Sequence, residues 1–382
     1  MSGMKLHRRK YSFAAFCSLG AIMLSSTASA EPMKASENKA LAEELGSLHN
    51  AKIAIKMPDA KKQLTFFAGS ISKEDQAKVV RLAPNVRIIT GLSPKQALDR
   101  ATEAHGVDAH LATPEFLAKA TNLRWVQVPS AGVDRYLGIK PLIENDDIVM
   151  TNARGVHGPA IADHAMAMLL TLTRNLQHYA EMQKQGKWNR RGGGTSQSIA
   201  LQGKTMLVVG LGGIGSEIAQ RANGFGMNVI GTRRSDKPSP DYITKVGKPK
   251  DLLAMLPEAD VVALAVPLTD ETKDLLDAKA FAAMKKGAYL INIARGKVVN
   301  TEAMMQSLKS GKLAGACLDV TDPEPLLADH PLWKQANVII TPHIASRAEV
   351  TDERRSALLV ENLRRFGAGE PLLNCVDKKA GY

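Results

Sequence analysis

Aromatic side chains are scarce in this chain, 4% of 382 residues, and there are three cysteines, Cys17, Cys317 and Cys375. Thiols so few and so widely separated make neither a disulfide framework nor a metal site, and the two later ones read as packing residues. No apolar run reaches the roughly 20 residues of a membrane span, so the mature chain is expected to have no stable span. Nowhere do basic clusters alternate with aromatics, which argues against a nucleic-acid partner. Acids are missing from the first thirty positions, which hold Lys5, Arg8, Arg9 and Lys10. That stretch inflates the net charge of +12; without it, 46 basic residues stand against 38 acidic ones. The surface is moderately basic and suits small anions. The rest, 45% hydrophobic and 23% charged, is ordinary globular composition, long enough for two domains.

The basic start is followed by an apolar tract around AAFCSLGAIML and then SSTASA, with small residues at Ala28 and Ala30. This reads as a secretory signal peptide over residues 1–30, cut after Ala30. The pair Arg8-Arg9 points to twin-arginine export of a folded protein into the periplasm. Tyr11-Ser12 departs from the hydrophobic pair usual there, and an organellar transit peptide or a cytoplasmic protein remains open. Residues 31–63 read as a loosely attached extension.

From residue 64 the pattern alternates. Strand-like QLTFFAG, NVRIITG, VDAHLAT and LRWVQVPS are separated by helical stretches, one with a Ser cap at Ser93. A single long helix is expected over PAIADHAMAMLLTLTRNLQHYAEMQKQGKW, followed by a glycine-rich loop. Six further strand-like runs begin at KTMLVVGLGGIG and end at NVIITPHIA, the rhythm of a doubly wound nucleotide-binding sheet. The last helical stretch, RAEVTDERRSALLVENLRRFGAG, has to pack on the first domain, which makes that domain discontinuous.

Gly210, Gly212 and Gly215 form G-x-G-x-x-G between an apolar strand and a helix, in the segment that also holds Gly213 and Ile214. In that context the first glycine allows a tight turn and the second allows close approach of a pyrophosphate. The third lets helix and strand pack closely. An acid at the end of the next strand would hydrogen-bond the ribose 2′-hydroxyl of NAD. None is there. Gly231 is followed by Thr232, Arg233, Arg234 and Ser235. Two guanidinium groups and two hydroxyls suit a 2′-phosphate, so NADP is the expected cofactor, with NAD possible.

Three polar residues follow apolar runs at strand ends, where open parallel sheets bind ligands: Arg295 in INIARG, Glu324 in LDVTDPEPL and His343 in ITPHIAS. Reduction of a 2-keto acid needs a bidentate cation for the carboxylate and carbonyl, a role for Arg295. It needs a proton at the carbonyl oxygen, a role for His343. The histidine needs a carboxylate to hold it, a role for Glu324.

With SAGVD at 130–134, ARG at 294–296, DPEPL at 322–326 and TPH at 341–343, the chain resembles the D-isomer-specific 2-hydroxyacid dehydrogenases over about residues 64–375. The intervals of 29 residues from Arg295 to Glu324 and 19 from Glu324 to His343 keep that family's order. The resemblance implies an α/β fold in which a Rossmann doubly wound cofactor domain, 155–342, is inserted in a discontinuous flavodoxin-like substrate domain, 64–154 and 343–376. It implies that Arg295 orients substrate, His343 is the acid in reduction and the base in oxidation, and Glu324 tunes it. Backbone amides around Ala131, Gly132 and Val133 would hold the substrate carboxylate. Asp319 would bond the nicotinamide carboxamide. Val266, Pro267, Thr272 and Ala294 would line the cofactor. A homodimer through the helix of Asp163 and His164 is implied too. Thr321 stands where an aromatic is common. The expected activity is hydride transfer between NADP(H) and a small 2-keto or D-2-hydroxy acid such as glyoxylate or hydroxypyruvate. A non-catalytic dinucleotide-binding relative, or a dehydrogenase of formate or a phosphorylated acid, are the alternatives.

Overall fold

The computed structural model describes residues 40–41, 63–190 and 198–381. The leader expected over 1–30, nearly all of the extension over 31–63, and residues 191–197 of the glycine-rich loop lie outside the described residues.

Two parallel sheets organise the described chain. The first takes β1 (Leu64–Ala68), β2 (Val86–Thr90), β3 (Gly106–Asp108), β4 (Trp125–Gln127) and β5 (Val149–Thr151) in the order β2-β1-β3-β4-β5. The second takes β6 (Thr205–Val209), β7 (Asn228–Thr232), β8 (Ile243–Gly247), β9 (Val261–Leu264), β10 (Ala288–Asn292), β11 (Leu313–Leu318) and β12 (Val338–Ile340). Their order is β12-β11-β10-β9-β6-β7-β8. The first order is that of flavodoxin-like sheets and the second that of dinucleotide-binding ones. A parallel sheet is covered on both faces, so its strands read as apolar runs. β1 and β10 are buried along their whole length. Alternation then sends Phe67 with Val107 and Val126 into one core, and Phe66 with Trp125 and Phe366 into the other.

Two strands escape the sequence pattern. β5 is three residues long. β8, ITKVG, is an edge strand with its middle three residues exposed, so it shows no apolar run. The single long helix is in fact two, α1 (Gly158–Thr173) and α2 (Leu176–Lys184). The Thr171 and Thr173 hydroxyls donate to the carbonyls of Ala167 and Leu169, which weakens the helix end. Asn175 then turns left-handed at φ 55, a conformation asparagine tolerates. α1 packs on α3 (Gly213–Gly224), the helix behind the glycine loop.

The last helix, α4 (Glu349–Ala368), returns to the first sheet as expected, with Phe366 5.2 Å from the Trp125 ring. Beneath it a buried chain of hydrogen bonds runs from Trp125 Nε1 to Thr151 Oγ1 (2.8 Å) and from Thr151 Oγ1 to Gln127 Oε1 (2.7 Å). Cys317 and Cys375 are both buried, as packing residues are. No described helix is long and apolar enough to cross a membrane.

At the C-terminal edge of the first sheet the buried Asp108 carboxylate accepts the Gly69 N–H at 2.5 Å. Burial pushes its pKa up to about 6 from 3.8, against the opposing pull of that hydrogen bond. Between those two values the folded chain holds a proton that the unfolded chain releases. The group therefore destabilises the fold fully above about pH 6, and the penalty fades as pH falls towards 3.8. Asp108→Asn should raise the melting temperature by a few degrees at pH 7.5. Thermal melts at pH 4 should show no such gain.

Candidate active site

β6 runs into Gly210, whose φ of +101 only glycine adopts without strain. A Cβ there would lie 2.8 Å from the Ala265 carbonyl oxygen at the end of β9. β6 and β9 flank the point where strand order reverses, the crevice in which such sheets take their ligand. A Cβ on Gly215 would stand 2.0 Å from the Gly210 carbonyl oxygen, so no side chain fits between α3 and its strand. At Gly212, the residue capping α3, the nearest atom to such a Cβ is Arg154 Nη2 at 3.5 Å. The helix N-terminus thus opens on space beside a guanidinium. Free N–H groups, a positive helix end and a cation suit a pyrophosphate.

That space belongs to a cavity of about 360 Å³. One wall is Ala131, Gly132, Val133 and Asp134 with Asn152, Arg154 and Gly155. The other is Gly210, Gly212, Gly213 and Ile214, the run Thr232 to Ser235, Val266, Pro267, Thr272, Ala294 and Arg295. Gly215 stays behind this surface as a packing glycine, and Asp319, Glu324 and His343 do not line it either.

The rim at the end of β7 carries no acid among residues 232–235. Arg233 donates its backbone N–H to Gly247 and Nη1 to the Pro238 carbonyl at 3.4 Å. Its buried Nε has no hydrogen-bond partner among the described residues. Arg234 Nη1 lies 3.8 Å from Glu271 Oε2. The Lys248 ammonium bonds the Arg234 carbonyl and pairs with the Asp236 carboxylate. Opposite, Thr272 Oγ1 donates to the Pro267 carbonyl at 2.7 Å and accepts from Thr269 N, closing the VPLTDET turn.

Beyond β10, the Asn292 side chain shapes the next turn. Its Oδ1 accepts from Ala294 N (3.1 Å) and its Nδ2 donates to the Arg295 carbonyl (3.0 Å). The Arg295 guanidinium reaches across to Asp134 at 2.9 Å. A Cβ on Gly296 would lie 1.9 Å from the Thr321 carbonyl oxygen, so the arginine turn is pressed against the loop that carries Glu324. Thr321 turns its hydroxyl onto the Pro323 carbonyl (2.8 Å). From that loop Glu324 Oε1 meets His343 Nδ1 at 2.7 Å, with both side chains about two-fifths exposed. A carboxylate only accepts, so Nδ1 donates and Nε2 is left to exchange a proton with a substrate.

Asp319, which the resemblance assigns to the nicotinamide carboxamide, is bonded to three donors of the protein itself. It is 3% exposed. Its Oδ1 accepts from Thr341 Oγ1 (2.7 Å) and Ile344 N (2.9 Å), and its Oδ2 from Ala345 N (3.0 Å). Its role in the chain is to hold the turn around His343, which itself is left-handed at φ 54. On α1, the helix to which the resemblance assigns the subunit contact, His164 Nε2 lies 2.9 Å from Thr341 Oγ1, and Asp163 pairs with Arg221 on α3. Arg154 and Asp134 received no role from the sequence. Arg154 lies in TNARGVHG, where a long cation between small residues was the available signal. Asp134 lies in the SAGVD motif itself. No group of three or more His, Cys, Asp or Glu side chains among the described residues could hold a metal ion.

Residues 166–345 match the family described as D-isomer specific 2-hydroxyacid dehydrogenase, NAD binding domain. The chain is 36% identical over 269 residues to a glyoxylate reductase of Thermococcus litoralis, covering 69% of this chain and 80% of that one. A solved D-isomer specific 2-hydroxyacid dehydrogenase family protein from Aeromonas salmonicida is also 36% identical. It superimposes with a TM-score of 0.70 over 83% of this chain and 100% of that one. An NADPH-dependent glyoxylate/hydroxypyruvate reductase from Sinorhizobium meliloti, solved with NADP and sulfate, is 25% identical with a TM-score of 0.70, over 84% of this chain and 100% of that one. Likeness across most of each relative's length, joined to the glycine loop and its crevice, means that the chain belongs to the D-isomer specific 2-hydroxyacid dehydrogenase family and is an enzyme of NAD(P)-linked 2-hydroxy-acid oxidoreduction.

Proposed function

We propose that this enzyme is an NADP-preferring reductase of small 2-keto acids of the glyoxylate and hydroxypyruvate class, yielding D-2-hydroxy acids where the product is chiral. The observation that carries the cofactor preference is the rim of Thr232, Arg233, Arg234 and Ser235. An acid there would repel a 2′-phosphate, and two guanidinium groups attract one. The names of the Thermococcus and Sinorhizobium relatives support both halves of the reading.

The cradle at Gly210, Gly212 and α3 suits the pyrophosphate, with Arg154 beside it. When bound, the nicotinamide supplies the hydride to the substrate carbonyl carbon. Arg295 draws the substrate carboxylate and keto oxygen into line, and the amides of Ala131, Gly132 and Val133 take the carboxylate's other side. His343 gives its Nε2 proton to the oxygen as charge develops there, while Glu324 keeps the ring in place through Nδ1. In oxidation the same nitrogen takes the proton back.

The leader read in residues 1–30 favours export, after folding if the twin arginines act, with cofactor carried along. A homodimer is favoured by Leu176, Tyr179 and Trp188, large apolar side chains exposed on and beside α2.

Turnover followed at 340 nm, with NADPH and NADH in parallel, tests the reading. Residues 31–382 should reduce glyoxylate or hydroxypyruvate faster with NADPH. Removing both guanidinium groups, as Arg233→Gln with Arg234→Gln, should narrow that preference by about tenfold or more, the scale of a lost charge-assisted hydrogen bond. Equal rates with both cofactors in the unaltered protein would defeat the NADP assignment. His343→Ala should lower kcat by about 10² to 10⁴-fold with NADPH binding, read by fluorescence titration, unchanged. A non-catalytic binder would show no turnover to lose.

A further inference from the structure

The substrate-orienting arginine does not stand alone. Arg295 Nε and Nη2 both donate to Asp134 Oδ1, at 3.2 and 2.9 Å, and Nη1 donates to the Ala294 carbonyl at 2.8 Å. A guanidinium has five N–H donors. Three are taken, so one remains on Nη1 and one on Nη2. Those are the two that a 2-keto acid uses when its carboxylate and carbonyl oxygens share one arginine. The guanidinium is seated where a side chain at residue 132 would be. A Cβ on Gly132 would come 1.9 Å from Arg295 Nη2 and 2.9 Å from Asp134 Oδ1.

The pair also joins the two sheets' lobes. Asp134 follows β4 of the first sheet, and Arg295 follows β10 of the second. Both are roughly 30% exposed, on the cavity wall. Left to itself, an arginine side chain has many rotamers and aims its charge loosely. Here its side edge is fixed from the opposite lobe and its terminal donors are left facing the cavity.

We propose that Asp134 is a positioning residue for substrate: it acts as a strut across the cleft that locks the Arg295 guanidinium with two donors presented to the carboxylate and keto oxygen of a 2-keto acid. This rests on the function proposed above. Because the strut needs both lobes, the arginine is aimed only while they are held together. The contact is absent from the cofactor's end of the cavity, so it governs substrate and leaves dinucleotide affinity alone.

The test is steady-state kinetics with saturating NADPH and varied glyoxylate on the full chain and on Asp134→Ala, Asp134→Asn, Arg295→Ala and the Asp134→Ala/Arg295→Ala double variant. Asp134→Ala should raise KM about tenfold or more and lower kcat, because misaiming a substrate-holding group by an ångström costs about that much or more. Asp134→Asn keeps an acceptor oxygen without the charge and should fall between it and the unaltered enzyme. Competitive inhibition by oxamate, which carries a carboxylate beside a carbonyl, should weaken in parallel. The Kd for NADPH should stay within about twofold, and this binding also reports that each variant is folded. The double variant should be no worse than Arg295→Ala, since a strut has nothing to act on once its arginine is gone. Losses that multiply in the double variant overturn the inference, and so does an unchanged KM in Asp134→Ala when Arg295→Ala is impaired. Unimpaired turnover in both single variants overturns the strut together with the reading of the site.

Discussion

Asp319 ties together the two ends of the chemistry. Its backbone N–H donates to the Asn292 carbonyl at 3.0 Å, and the Asn292 side chain in turn sets the backbone of Ala294 and Arg295. Its backbone carbonyl accepts from His343 N at 2.9 Å, while its carboxylate gathers Thr341, Ile344 and Ala345. Both the cation that would hold an acid and the imidazole that would protonate it are therefore measured from one buried residue. Three donors converge on a carboxylate that water hardly reaches. Removing it would strand them, at about 1–3 kcal/mol for each unsatisfied group. A buried charge so fully bonded fixes geometry more than it adds net stability. Geometry is what a hydride-transfer site needs most, because reacting atoms must be held within a few tenths of an ångström.

What could be read in the sequence follows from burial. Parallel strands covered on both faces announce themselves as apolar runs, so LTFFA, MLVV, VVAL and AYLIN were visible. β8 was not, because an edge strand owes its position to a neighbour's backbone and not to its own side chains. The split of the long helix at Asn175 was hidden because two threonines that look merely polar in sequence bend the chain by bonding backwards. At the site, the glycine loop and the Glu324–His343 pair came from motifs with fixed local chemistry. The Arg295–Asp134 contact spans 161 residues of chain, a pairing that no local pattern encodes. Asp319 enters through the family resemblance alone, and its bonds to the Thr341 hydroxyl and to the Ile344 and Ala345 N–H groups join residues 22 to 26 positions away, which no local pattern announces.

The rim of the cavity shows how selectivity can rest on what a position lacks. With no carboxylate at the end of β7, the Arg233 guanidinium keeps a buried Nε without a protein partner among the described residues. A buried donor of that kind costs free energy until something accepts from it. The acids nearby are occupied: Asp236 by Lys248, and Glu271 by Arg234. Both acids are thus paired with other cations, and Arg233 is left without an ion pair to an acid among the described residues.

The two thiols of the described chain give the fold an independence from redox conditions. Cys317 is 0% exposed and Cys375 is 7% exposed. Burial pushes both thiols up, Cys375 to about 12 and Cys317 further still. Only the thiolate attacks peroxides and disulfides, and at neutral pH neither group supplies any useful fraction of it. Oxidants therefore find no reactive sulfur of cysteine among the described residues, and reductants find no bond to break. Among the described residues, a change between reducing and oxidising surroundings therefore makes and breaks no bond between cysteines.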